Sequence, residues 1–488
     1  MQKRTVLAFL VDGARADVMT RMAEAGELPA LRRHFFDRGG FATATSVFPT
    51  VSGPAHLPLL AGIHPGSANL PGIRWAERPL GHTGRFFGRT RSYMAPLRAY
   101  KLERDVPKWI TTLFAHVPDM ADVNTWFVRG CPASARRTRW SKPAAFLRSL
   151  VTRNWHRSED QAESAVICAL ERGFSSVHAV FPAIDELGHR FGPLSEPSFE
   201  AYRRFDGALQ RIIDVLVRRR QLDETLIVIS SDHGQTATHS HIDLDTIVAG
   251  VYAKTVCYPR VWRHAFAAQA AVMVSGNSMA NVYVQGKNGW SERPDFDDAN
   301  SQAAQLKMRL LEHQAIEHVI YRGPDTNSFI VANREGSLRI DVVAGAETVT
   351  PRIRLSRQGK DPFGYGELPG EMGREMGRDD VASWSAESEY PDAAWQIVRF
   401  FSSSRAGDLV VCARHGFDLR GRFEYQPHNG SHGGLHRDHM LVPALTNGRW
   451  ARSRVRTVDL FPSILSALGK AIPDGIDGET VGISFDGS

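Results

Sequence analysis

The chain of 488 residues is 42% hydrophobic and 23% charged, with a formal net charge of +6. That balance is ordinary for a soluble globular protein, and the length asks for two domains or one domain with a large insertion. The basic residues are spread along the chain, which fits an anionic small-molecule substrate and offers no concentrated tract for a nucleic-acid polymer.

The first predicted element is the apolar run 6–11, which ends at Asp12-Gly13. Lys3-Arg4 ahead of it imitates a signal peptide, but the run is short and no small-residue cleavage site follows, so a strand and a cytoplasmic location are expected. Cys131, Cys168, Cys257 and Cys412 have no paired spacing, which points the same way. No segment is long and apolar enough to span a membrane. Residues 16–33 read as a helix interrupted at Pro29. After an extended segment at 44–49, Pro54 is placed to open a helix, with Ser52 near its N-cap. Residues 63–100, rich in Gly, Pro and Arg, are expected to form a loop over the site that carries Trp75, Phe86, Phe87 and Tyr93.

Residues 158–172 and 200–219 read as helices. Each leads into a buried strand, 177–181 and then 226–230. The alternation predicts an α/β fold with a doubly wound, mostly parallel sheet and helices on both faces. Beyond 245 the texture changes. Runs 279–284 and 328–331 alternate like edge or hairpin strands, and 302–317 has helical spacing between them. Gly and Met punctuate 364–380. The expected organisation is a core of 1–245 and 406–488, with the sheet resuming at 407–412 and a last helix at 458–468, around an inserted α+β cap at 246–405.

Chemistry gathers at the strand ends. The three apolar runs are followed by Asp12, by Asp185 with His189, and by Asp232-His233, at the edge where open α/β sheets bind ligands. The segment 430–434 adds His432 between glycines. Asp12, Asp185, His189, Asp232, His233 and His432 are enough donors for two metals. Their mixed oxygen and nitrogen character favours zinc or manganese over calcium. The plainer reading of Asp232-His233 alone, a pair capping the next helix, loses force because the pattern repeats. Ser52 supplies a hydroxyl that a bound zinc could activate as a nucleophile, with Thr50 its rival and simple N-capping its plain alternative.

The segments 10–13, 48–56 with 60–62, 185–189, 231–234 and 431–433, in that order, resemble the alkaline phosphatase superfamily and most closely its nucleotide pyrophosphatase/phosphodiesterase branch. The resemblance implies one zinc on Asp185, His189 and His432 and another on Asp12, Asp232 and His233. It also implies a covalent intermediate on Ser52, where the branch usually has Thr, hydrolysed by water. The branch's phosphate-binding Asn falls at Ile73, so Asn69 or Arg74 would have to replace it, Arg74 with a bidentate fork. That departure leaves a phosphomonoesterase, a phosphonate hydrolase or a phosphoryl-group transferase as alternatives to a diesterase. The expected partner is a small phosphate ester of nucleotide-like or lipid-like type, and oligomeric state stays open.

Overall fold

The computed structural model describes residues 4–79, 84–86, 88–94, 101–138, 155–264, 266–325, 327–343, 351–369, 373–424 and 427–485. Phe87 of the expected aromatic loop lies outside them. A seven-stranded sheet runs in the order Arg454–Arg456, Phe41–Thr45, Leu441–Thr446, Thr225–Ser230, Thr5–Val11, Ser176–Phe181, Met120–Val123. Its centre is parallel, and Leu441–Thr446 alone runs against both neighbours. The run 6–11 is buried on both faces because its residues serve two cores in turn. Val6, Ala8 and Leu10 pack with the helices Leu57–Ala61 and Leu460–Ala467. Leu7, Phe9 and Val11 pack with Ala16–Glu24, His156–Glu171 and Glu196–Arg218. This is the two-residue period of a strand between two helical layers. Burial of each of these larger side chains contributes about 1.5–3 kcal/mol.

Pro29 does more than interrupt the first helical stretch. It occupies the first turn of a second helix, Pro29–His34, where its missing N–H is harmless. The stretch 302–317 is helical only over Gln302–Glu312, and Ile316–Arg322 is a strand.

The second sheet has eight strands in the order Arg352–Gly359, Gly336–Val343, Ser328–Ala332, Ile316–Arg322, Leu409–Ala413, Met279–Val284, Ala270–Ser275, Thr255–Cys257. One expectation is corrected here. Leu409–Ala413 does not resume the first sheet; it pairs with Met279–Val284 and Ile316–Arg322 in the middle of the second. Met279–Val284 is a hairpin strand, as its alternation suggests, paired through a short turn with Ala270–Ser275, and it lies inside the sheet with every residue buried. A short apolar run fits the interior of either sheet, and its own pattern does not say which neighbours it takes. Trp75 and Phe86 are packed in the interior rather than spread over the site. No helix among the described residues is long and apolar enough to cross a membrane.

Candidate active site

The parallel register sets Val11 beside Phe181 and Leu10 beside Ser230, so the three strands end together. The Asp12 N–H donates to Phe181 O at 3.0 Å, and the Asp185 N–H donates to Asp12 O at 3.1 Å. Gly13 makes this close approach feasible. Its φ is +77°, and a Cβ there would lie 2.7 Å from Asp185 Cα. Gly13→Ala therefore meets both a left-handed backbone and a rigid neighbour, each costing about 1–3 kcal/mol. A clear fall in Tm by calorimetry, together with reduced bound metal, is the expected result.

The helix Ala183–Phe191 places Asp185 and His189 one turn apart on one face, with His189 Nε2 3.4 Å from Asp185 Oδ2. His432 arrives on a three-stranded sheet of Gly416–Asp418, Thr236–His241 and Gly430–Ser431. Its Nε2 lies 3.9 Å from Asp185 Oδ1 and 3.1 Å from His189 Nε2. These three residues form one compact group of donor atoms.

A second group adjoins it. His233 Nε2 is 3.3 Å from Asp232 Oδ2 and 3.8 Å from Asp12 Oδ1. The His233 and His432 rings stack at 3.7 Å, so the two groups share a wall. His56 belongs to the second group as well, with Nε2 3.3 Å from Asp232 Oδ2 and 3.9 Å from Asp12 Oδ2. Sequence reasoning passed over His56, although it closes the 48–56 motif; its complete burial beside two carboxylates is visible only in three dimensions.

Three imidazoles are oriented the same way. His189 Nδ1 faces Gly430 O at 2.7 Å, His432 Nδ1 faces Thr50 O at 2.7 Å, and His233 Nδ1 faces Gly234 O at 3.2 Å. A carbonyl only accepts, so each Nδ1 carries a proton and each Nε2 turns toward the site. Burial opposes a charge on His189, but Asp185 outweighs it and lifts that imidazole to about 9. Without a cation, a proton on His189 Nε2 therefore bridges the 3.1 Å to His432 Nε2, and a bound cation would take that proton's place.

Carboxylate electrostatics ask for the same thing. Burial, then Asp232 and Asp185, push the Asp12 carboxyl well above its ordinary range. Burial also opposes the charge on Asp185, but His189 and His432 outweigh it and hold that carboxyl far below its usual value. Asp232 Oδ2 is buried without a hydrogen bond. A donor set of buried carboxylates and neutral Nε2 atoms fits divalent cations of the zinc or manganese type.

Ser52 sits where the second group opens. The short helical turn Pro54–His56 is capped by Gly53, and no side chain caps it, so the Ser52 hydroxyl is not spent on capping. Its Oγ is 2.9 Å from His233 Nε2 and 3.4 Å from Asp12 Oδ1. Thr50 is placed differently. Its Oγ1 donates to Gly434 O at 2.8 Å and accepts from the Gly433 N–H at 3.0 Å, fully buried. It fixes the loop that carries His432.

The expected substitutes for a phosphate-binding Asn are not brought to this site. Asn69 Oδ1 accepts from Ser403 Oγ at 2.7 Å and from the Arg405 N–H at 3.3 Å. Ile73 is buried in an apolar cluster. Arg74 Nη1 donates to Val274 O at 3.0 Å, in a separate crevice. His436 bonds Glu389 at 2.9 Å and groups with His415 and Asp438 instead.

The chain is similar along nearly its whole length to two solved structures. Phosphonoacetate hydrolase from Sinorhizobium meliloti 1021, in complex with phosphonoformate, matches at 16% identity and a TM-score of 0.55, with 96% of each chain covered. Murine ectonucleotide pyrophosphatase/phosphodiesterase 5 matches at 13% identity and a TM-score of 0.56, with 98% of each chain covered. At such identities the likeness establishes the fold, which is alkaline phosphatase-like. A family model described as type I phosphodiesterase / nucleotide pyrophosphatase matches residues 6–435. With the donor groups and the hydroxyl gathered at the strand ends, the chain belongs to that family.

Proposed function

We propose that this protein is a two-zinc hydrolase of small phosphodiesters or pyrophosphates, nucleotide-like or lipid-like, working through a covalent phospho-Ser52 intermediate. The reading is carried by one observation: the Ser52 hydroxyl, free of any capping role, lies against His233 and Asp12 at the junction of the two donor groups. Asp185, His189 and His432 would hold one ion, and Asp12, Asp232 and His233 the other, with Ser52 at its open position. Bound there, the ions neutralise the buried carboxylates, acidify the hydroxyl and stabilise charge on attacking and leaving oxygens.

The chain's own residues do the rest. Ser52 Oγ forms an O–P bond in line with the departing ester oxygen as the P–O bond to that oxygen breaks, and the proton given up by Oγ passes through solvent to the leaving alcohol. Water then attacks the same phosphorus, breaks the Oγ–P bond, and leaves phosphate product and the restored hydroxyl. His56, with Nε2 3.3 Å from Asp232 Oδ2, packs against that carboxylate and limits its movement. Trp126, whose ring would meet a Cβ at Gly53 at 3.1 Å, flanks the nucleophile's turn.

The murine protein is described in an inactive threonine-to-alanine form in complex with AMP, which supports a hydroxyl nucleophile and a nucleotide-like substrate here. The burial of Ile73 keeps the monoester and phosphonate alternatives open to test. A cytoplasmic location belongs to the same proposal. Hydrolysis of bis-p-nitrophenyl phosphate and p-nitrophenyl phosphate, each with added zinc and with chelator, separates the readings. Faster diester cleavage that chelator abolishes is the expected result. Faster monoester cleavage would reassign the substrate class, and turnover indifferent to chelator would overturn the metal reading.

A further inference from the structure

Arg74 lines a narrow, partly open crevice with Val274, Tyr258, Leu419, Arg420 and Phe423. Arg74 is 4% exposed, yet no ion pair to its guanidinium occurs among the described residues. It gives one hydrogen bond, from Nη1 to Val274 O, while Nε is buried without a partner. The Tyr258 ring lies 5.6 Å from Cζ. The other two arginines of the crevice are already neutralised. Arg420 Nη1 is 3.1 Å from Glu424 Oε1, and Arg422 contacts Asp243 at 2.9 Å and Asp245 at 2.7 Å. Burial and the Arg420 charge bring the Arg74 guanidinium down to about 9, still charged at neutral pH. The neighbouring carboxylates Glu424 and Asp418 favour its charge but are engaged with Arg420 and Asn277, and a buried cation with an unmet donor and no direct ion pair is an arrangement that an anion relieves.

The crevice is also tied to the active site. Ser275 Oγ accepts from the Arg74 N–H and donates to Arg74 O, both at 3.2 Å. The turn that follows holds His432, whose N–H donates to Gly276 O at 3.0 Å and whose O accepts from the Ser278 N–H at 2.9 Å. One continuous stretch, 274–278, is thus a wall of the crevice at one end and the support of His432 at the other.

We propose that this crevice binds one small oxyanion, a carboxylate or phosphate, with the Arg74 guanidinium as its principal donor. The anion is either a free ion or a distal charged group of the substrate. The proposal does not depend on the phosphodiesterase reading, because only the difference between parent and variant is counted, whatever binds at the active site. Calorimetric titration of the metal-loaded protein with inorganic phosphate is expected to show one more binding event than the same titration of the Arg74→Met protein. Arg74→Met removes a buried charge that has no direct ion pair, so its Tm without phosphate is expected to equal or exceed that of the parent. If that variant fails to fold, Arg74→Lys keeps the charge without the fork and is expected to bind at the additional event at least ten-fold more weakly. The source is found by comparing KM for a p-nitrophenyl diester with and without a carboxylate on its other arm. A preference for the carboxylate that disappears in Arg74→Met assigns the site to the substrate. No preference in either protein, with the additional phosphate event lost in the variant, assigns it to a free anion. Equal numbers of phosphate events in the parent and in Arg74→Met overturn the proposal.

Discussion

The Ser52→Ala protein is expected to fold, keep its full metal content and lose about three to six orders of magnitude in kcat. The substitution removes one oxygen from a half-buried position, and that oxygen supports no backbone group. The helical turn behind it takes its cap from Gly53, so the fold loses nothing comparable to an N-cap. Asp12, Asp232 and His233 keep their places without it, because each is held by the strand ends or by a backbone carbonyl. Turnover under single-turnover conditions, with metal per chain measured on the same sample, makes the comparison. Retained metal with lost turnover fits a nucleophile. Near-parental turnover would mean that another oxygen attacks phosphorus, and Thr50 is poorly placed for it, being locked between Gly433 and Gly434. Restoring a hydroxyl with Ser52→Thr is expected to recover much of the rate.

The second large effect is expected from Asp232→Asn, with metal per chain falling by about one and kcat/KM falling at least about a thousand-fold. Asp232 is fully buried, and its Oδ2 lies equidistant, at 3.3 Å, from His56 Nε2 and His233 Nε2. The amide keeps the shape and leaves an oxygen for the Gly13 N–H, which approaches Oδ1 at 3.4 Å. What it removes is charge. In the metal-free protein that removal relieves Asp12, whose carboxyl is pushed upward partly by Asp232. That relief is offset by loss of the charge that His233 and His56 favour on Asp232 against its burial, so the metal-free variant is expected to melt near the metal-free parent. The metal-loaded parent should melt higher than both, since an ion bound only to the folded state adds its binding free energy to stability. Elemental analysis and calorimetry before and after chelation test both halves. Unchanged metal stoichiometry would remove Asp232 from the ligand set.

Much of this site was legible before the fold. Acidic residues closing buried apolar runs were visible as Asp12, Asp185 and Asp232, because a charge at the end of a two-sided strand has few other uses. The spacing of Asp185 and His189 is a helical turn that any reader of periodicity can see. Other features needed the third dimension. His56 and Thr50 are ordinary residues of a motif until one is seen against two carboxylates and the other against the carbonyl of Gly434. Arg74 looked like a phosphate ligand because it stands near the right place along the chain. Its strand, Arg74–Ala76, directs the guanidinium toward Val274 instead. The strand Leu409–Ala413 was assigned to the wrong sheet for a similar reason: apolar composition announces burial without naming the partner.

Gly276 and Ser278, at the end of a strand of the second sheet, help hold the backbone of His432 at the candidate site. The segment between the two halves of the first sheet is therefore no ornament that could be cut away to leave a smaller working enzyme. Under the proposed metal reading, prying the sheets apart would withdraw a donor from the first ion, and losing that ion would weaken the grip of one sheet on the other.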